Sequence, residues 1–94
     1  LLPAERTEIR LRYCEILQMI KDPAAGRALA RQAVFDLDPE VRAAACDALA
    51  ARPRREWRAE LLAAFRHPWL PAAQHAAEAL QRLDDRNAAG HLME

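Results

Sequence analysis

A segment of about a dozen residues returns along the chain at a nearly constant spacing. Its clearest copy is Asp38–Ala50, which reads Asp-Pro-Glu-Val-Arg and then runs through alanines to Ala-Leu-Ala. Thirty-two positions earlier the matching residues are Ile9, Arg10, Cys14 and Leu17, and 31 positions after Asp47 and Leu49 they are Glu78 and Leu80. A repeat of this length predicts stacked units, each of which needs a neighbour to bury its apolar face.

The composition fits helical units. Hydrophobic residues make up 52% of the 94-residue chain, and alanine, the best helix former, is the commonest of them; no run of β-branched residues resembles a strand. Acidic and basic residues balance at 14 each, which argues against nucleic acid or an anionic membrane as the main partner. No apolar stretch approaches the length of a membrane span.

Prolines preceded by aspartate divide the chain into helices. Asp22-Pro23 and Asp38-Pro39 each supply a cap followed by a proline at the first helical position. Two further prolines make a stiff turn around Trp69, and Asp84-Asp85 is predicted to form a turn and cap. The predicted helices lie near residues 3–20, 24–36, 39–51, 54–66 and 71–83, with a short stub at 86–93.

Each predicted helix carries an apolar face at spacings of three and four. In chain order these faces are Ile9, Tyr13, Ile16, Leu17 and Ile20; Ala25, Leu29, Ala33 and Val34; Val41, Ala45, Ala48 and Leu49; Trp57, Leu61, Ala64 and Phe65; and Ala72, Ala76, Ala79, Leu80 and Leu83. Each repeat unit is predicted to be a pair of helices. The chain would then contain the second helix of one unit, two complete pairs and a short stub of the next unit.

The Asp38–Leu49 segment resembles the second helix of HEAT-like repeats, and its short period is similar to the subgroup seen in phycobilin lyases. The resemblance implies an all-α fold, a short right-handed α-solenoid of antiparallel helix pairs with about three repeats. Residues 1–94 would form one domain, truncated at both ends and cut from a longer protein. It also implies a protein-binding scaffold, because that is the main role of the family. The third copy departs from the pattern, since Leu70-Pro71-Ala72-Ala73 replaces Asp-Pro-Glu-Val-Arg.

The leading functional hypothesis is a non-catalytic module that binds another protein or a peptide. In a stack of this kind the second helices form the inner surface, and its polar candidates for partner binding are Arg10, Arg12, Arg42 and His75. Arg10 and Arg42 recur one unit apart and would align two cations. The alternative is that these arginines pair with Asp36, Asp38 or Glu8 and order the turns.

A second hypothesis is nucleic-acid binding through the densest basic group, formed by Arg52, Arg54, Arg55 and Arg58. Arg54 and Arg58 share one helix face. The simpler reading is a solvated outer face, because Glu56 and Glu60 supply opposite charge nearby. Neutral total charge favours that reading.

An enzyme is the least supported class. The chain has no serine, its two glycines are isolated, and the histidines His67, His75 and His91 lack the spacing of a helical zinc pair. No catalytic residue, metal ligand or cofactor is predicted, and a phycobilin-lyase-like accessory role gains nothing beyond the repeat itself. His67 is expected to shape its turn.

Cys14 and Cys46 occupy equivalent positions one unit apart. Packed helices lie roughly 10 Å from one another, whereas a disulfide needs Cα atoms closer than about 7 Å. We therefore expect two separate buried thiols, which fit a reducing, cytoplasmic compartment. We also expect exposed stack ends, at Ile9, Tyr13 and Leu17 and at Leu80 and Leu83, that allow self-association.

Overall fold

The computed structural model describes the backbone of residues 3–92 and the side chains of residues 6–84, and this part of the chain is all helical. Its elements are α1 (Pro3–Met19), α2 (Pro23–Phe35), α3 (Pro39–Ala50), a 3₁₀ turn (Arg54–Glu56), α4 (Arg58–Ala64) and α5 (Leu70–Leu92). No strand occurs within it, so the predicted all-α class is confirmed. None of the helices described is both long and apolar enough to cross a bilayer.

The starts of α2 and α3 follow the aspartate–proline pattern. The Asp22 carboxylate accepts a hydrogen bond of 2.8 Å from the Ala24 amide, and the Asp38 carboxylate accepts one of 2.9 Å from the Glu40 amide. Each satisfies a first-turn N–H that has no partner inside the helix. The proline costs nothing at the first position because that N–H would be unpaired in any case.

Helix α2 lies at the centre of the molecule. It packs against α3 and α5, and it also contacts α1, α4 and the 3₁₀ turn. Helix α1 packs on α3, and α3 packs on α5. The core between them is built from leucine, valine, Trp57, the two cysteines and many alanines, whose small side chains let helix backbones approach closely.

The predicted turn at Asp84–Asp85 is wrong. Helix α5 continues without interruption from Leu70 to Leu92, so the predicted stub at 86–93 is part of α5 as far as residue 92. Aspartate costs a helix interior only several tenths of a kcal/mol. No proline lies beyond Pro71 to remove a backbone N–H.

The predicted single helix at 54–66 is divided in two. The backbone of Trp57, at φ −125° and ψ −16°, interrupts the helix between the 3₁₀ turn and α4. Both Glu56 and Trp57 are buried, and the interruption brings these neighbouring side chains inward. Phe65, predicted to be inward, is exposed, because α4 ends at Ala64 and the chain turns away there through a hydrogen bond of 3.2 Å from the Phe65 amide to the Leu62 carbonyl.

Helix α1 buries only part of its predicted apolar face. Leu17 is buried together with Cys14, whereas Ile9, Tyr13, Ile16 and, just after the helix, Ile20 are exposed. We call these four exposed residues the α1 ridge. Their counterparts 32 positions later in α3 include Val41, Ala45 and Ala48, all of which are buried.

Candidate partner-binding surface

A groove of about 310 Å³ lies between α3 and α5 and brings together two of the four predicted partner-binding residues. Arg42 comes from α3 and His75 from α5. The α3–α5 groove is lined by Ala33, Pro39, Arg42, Ala43, Cys46, His75, Glu78, Ala79 and Arg82. The two helices begin 31 residues apart, so the repeat itself places these side chains opposite one another.

The groove carries charge of both signs. Arg42 Nη2 lies 3.9 Å from a Glu78 carboxylate oxygen, and its other terminal nitrogen donates a 2.9 Å hydrogen bond to the backbone carbonyl of Asp36. Arg82 lies 3.2 Å from the Asp47 carboxylate. The Arg42 side chain is largely buried whereas that of Glu78 is two-thirds exposed, so the carboxylate is the more available of the two groups.

His75 is fixed in one orientation at the edge of the groove. Its Nδ1 lies 2.6 Å from the carbonyl oxygen of Val34. Because a carbonyl can only accept, Nδ1 carries the proton, and in the neutral ring Nε2 is therefore an acceptor. The ring also meets the edge of Trp69, with centroids 5.9 Å apart.

Arg10 is engaged in holding a turn. Its Nε donates a 2.7 Å hydrogen bond to the buried carboxylate of Asp36, which also accepts from the Gln32 side chain at 2.5 Å and from the Asp38 amide at 2.9 Å. The turn between α2 and α3 thus gathers around Asp36. These contacts correspond to the alternative in which the repeated arginines order the turns.

Arg12 lies apart from the other three candidates. It is exposed on α1 and lines an open concavity of about 870 Å³. The other described residues around that concavity are Glu8, Ile9, Leu11, Tyr13, Glu15 and Ile16. The four predicted residues therefore divide among the groove, the Asp36 turn and the outer face of α1.

Arg52 is not part of the predicted basic surface. The Arg52 side chain is buried: it donates to Glu56 at 2.7 Å and to the backbone carbonyls of Ile20 at 2.7 Å, Asp22 at 2.9 Å and Leu17 at 3.3 Å. It closes the end of α1 and the start of α2 instead of facing solvent.

The other three arginines of the group are exposed. Arg54 lies 3.7 Å from the Asp84 carboxylate, and with Arg58 it lines a small cavity of about 190 Å³ beside Leu62 and Leu80. Arg55 is exposed in the 3₁₀ turn. What remains is a three-arginine surface with one acidic neighbour, a weaker focus of positive charge than four free cations.

An aromatic cluster joins the end of α2 to the turn between α4 and α5, and its member Phe35 was not singled out from the sequence. Phe35 stacks on Trp69 with centroids 6.3 Å apart, and meets the edge of His67 at 5.0 Å. The His67 ring accepts a 3.1 Å hydrogen bond from the Trp69 amide, so its predicted role in shaping the turn is confirmed. The available signal was the repeat itself, because Phe35 and His67 stand 32 positions apart.

Both cysteines are buried and free, as predicted. Burial raises the pKa of each thiol, that of Cys46 to about 11, and nearby carboxylates add to the effect at Cys14. Each is therefore protonated near neutral pH and acts as a small apolar side chain, since the thiolate is the reactive form. Within residues 6–84 no three His, Cys, Asp or Glu side chains lie close enough to hold a metal ion; His91 falls outside that range.

Comparison of the chain with protein-family models, with characterised proteins and with solved structures finds no match.

Proposed function

We propose that this chain is a HEAT-like module in which α1, α3 and α5 are the second helices of successive units, while α2 and α4 are the first helices. The stack we propose is right-handed and built of antiparallel pairs, and two observations support its division into repeated helix units. Val41-Arg42 repeats Ile9-Arg10 at a distance of 32 residues, and corresponding helices of successive units touch: α1 contacts α3, α3 contacts α5, and α2 contacts α4. Contacts confined to neighbouring units are characteristic of repeat proteins.

The proposed function is non-catalytic binding of another protein or a peptide along the α3–α5 groove. The observation that carries it is the convergence of Arg42, His75 and Glu78 from two repeats over a floor that contains Ala43 and Ala79. An apolar floor with a few polar groups of both signs suits a peptide segment, because apolar contact supplies affinity and the charges select orientation.

Glu78 provides the sharpest test, because it lines the groove and is exposed. When the photo-reactive residue benzoylphenylalanine replaces Glu78, it should cross-link to a partner. When it replaces Arg27, which is exposed on α2, it should not cross-link to that partner. The captured protein is then purified and titrated calorimetrically. Glu78→Lys should weaken binding at least about tenfold, whereas Glu15→Lys, a matched change on α1, should leave it unchanged. Equal effects of the two variants would refute the proposal that the partner binds in the α3–α5 groove.

Nucleic-acid binding remains the weaker proposal, now reduced to Arg54, Arg55 and Arg58. It predicts affinity for a labelled DNA duplex that falls steeply with salt and is lost in Arg54→Ala/Arg58→Ala. An accessory role like that of phycobilin lyases has no support among the described side chains.

A further inference from the structure

The α1 ridge is an exposed apolar surface, and the corresponding surface of the next repeat, on α3, is buried. Ile9, Tyr13 and Ile16 are 57%, 46% and 52% exposed, whereas their counterparts Val41, Ala45 and Ala48 are at most 2% exposed. In α3 that face is covered by other helices of the chain. The ridge residues are also larger than the alanines of α3, so the surface they present is broader.

The intervals between the ridge residues are the same whether they are counted from the N-terminal or from the C-terminal end of the ridge. Its residues stand at positions 9, 13, 16 and 20, with intervals of four, three and four. This is the heptad seam of two packed helices. When two such helices run antiparallel about a twofold axis between positions 14 and 15, Ile9 of one copy faces Ile20 of the other, and Tyr13 faces Ile16. A surface that matches itself in this way is what a twofold interface requires.

The charges beside the ridge match under the same axis. Arg12 and Glu15 are both exposed on one flank of the ridge and line the same concavity. The twofold axis brings Arg12 of one copy to within a helical turn of Glu15 of the other, and symmetry repeats the pair. Opposite charges beside an apolar seam fix partner and orientation in paired helices.

We propose that two copies of this chain associate through the α1 ridge, with their α1 helices antiparallel. The interface is independent of the α3–α5 groove, which lies on other helices, so either can fail without the other. It also gives a role to Arg12, which the groove does not use.

Sedimentation over about 10 µM to about 1 mM protein tests the association. The wild-type chain should pass from one-chain to two-chain mass. Ile16→Lys should weaken dimerisation at least about tenfold. Leu62→Lys is the matched control, because Leu62 is 46% exposed against 52% for Ile16 but lies on α4, and this variant should dimerise like the wild type. A wild-type chain that stays a monomer throughout would overturn the proposal, as would equal loss in both variants.

Cysteine cross-linking tests the orientation. An Ile9→Cys chain mixed with an Ile20→Cys chain should form a disulfide-linked heterodimer on oxidation, and neither variant alone should cross-link. Cross-linking of Ile9→Cys with itself would refute the antiparallel arrangement. Arg12→Glu should weaken the dimer, and Arg12→Glu/Glu15→Arg should restore it; failure of the restoration would refute the predicted ion pairs.

Discussion

Arg52 shows how far a residue can be interpreted from its neighbours in sequence. Three nearby arginines suggested a basic surface, and Glu56 four residues later suggested only a surface ion pair. The backbone carbonyls of Ile20 and Asp22, which draw the guanidinium inward, are not visible locally because they belong to a turn 30 or more residues earlier. Arginine suits this role since its planar fork can donate to several acceptors at once.

Replacing Arg52 by methionine should therefore destabilise the fold strongly. The change leaves the buried Glu56 carboxylate without its cation and several carbonyls without their donor, and breaking such a pair typically costs about 3–5 kcal/mol. Urea unfolding would measure the loss. Arg55→Met, at an exposed position in the same turn, should stay within about 0.5 kcal/mol of wild type. Similar unfolding free energies for the two variants would show that the Arg52 contacts contribute little.

Gly26 should reject alanine even though it lies in a helix. A β-carbon there would meet the Glu56 carboxylate and lie 2.7 Å from Glu56 Cβ. An exposed helical Gly→Ala change gains about 1 kcal/mol, but overpacking costs about 1–3 kcal/mol, so Gly26→Ala should lower the unfolding free energy. The reverse change Ala77→Gly, exposed on α5, calibrates the propensity effect in the same thermal scans. A raised melting temperature for Gly26→Ala would contradict the close approach.

Helix boundaries were predictable where local chemistry sets them. The starts of α2 and α3 follow from Asp22-Pro23 and Asp38-Pro39, whose effects act within one turn. The break at Trp57 was not predictable, because it accompanies the burial of Glu56, which depends on distant residues. The unbroken course of α5 was within reach of the sequence, because aspartate costs a helix interior little and no proline follows Pro71. The inward faces predicted for α2, α3 and α5 are largely correct, whereas α1 buries only Leu17 of the five residues in its predicted face. Phe65 is exposed because α4 ends one residue before it.

The candidate site was predictable to the same extent. Arg42 and His75 lie on helices related by the repeat, so their meeting in the groove follows from the period. Arg10 and Arg12 could not share a surface, because residues two apart on a helix project in different directions. The acceptors that engage Arg10 and Arg52 depend on the tertiary fold.

The link between α1 and the start of α3 should depend on pH. The Thr7 hydroxyl donates a 2.7 Å hydrogen bond to the Asp38 carboxylate, and the Glu40 amide donates a second one. Both lower the pKa of Asp38 from its ordinary value of 3.8, and the Thr7 bond has the larger effect. The folded state then favours the charged form, so the resulting stability is present above pH 3.8 and is lost as the pH falls through the folded pKa. Thr7→Val should raise the Asp38 pKa in a carboxyl NMR titration, while Thr7→Ser, which keeps the hydroxyl, should not. An unchanged value in Thr7→Val would contradict this.

Protection against local opening should fall from α2 toward α1. Helix α2 is surrounded by other elements, whereas α1 rests mainly on α3 and leaves its ridge exposed. Amides of residues 10–19 should therefore exchange with solvent at least about tenfold faster than those of residues 29–34, since local opening is easiest where little apolar surface is buried. Hydrogen exchange followed by NMR in dilute protein would measure this. Equal rates in the two segments would indicate a single cooperative unit.

The contacts of the Arg52 side chain determine when the end of α1 can finish folding during synthesis. Helix α1 is synthesised first, yet the carbonyls of Leu17, Ile20 and Asp22 receive their side-chain donor only after a further 30 to 35 residues have been added. The end of α1 therefore cannot reach its final state during early synthesis, whatever its own helix propensity. A ribosome-bound chain arrested before residue 52 should lack a finished α1–α2 turn, and one whose Trp57 has emerged from the ribosome should have it.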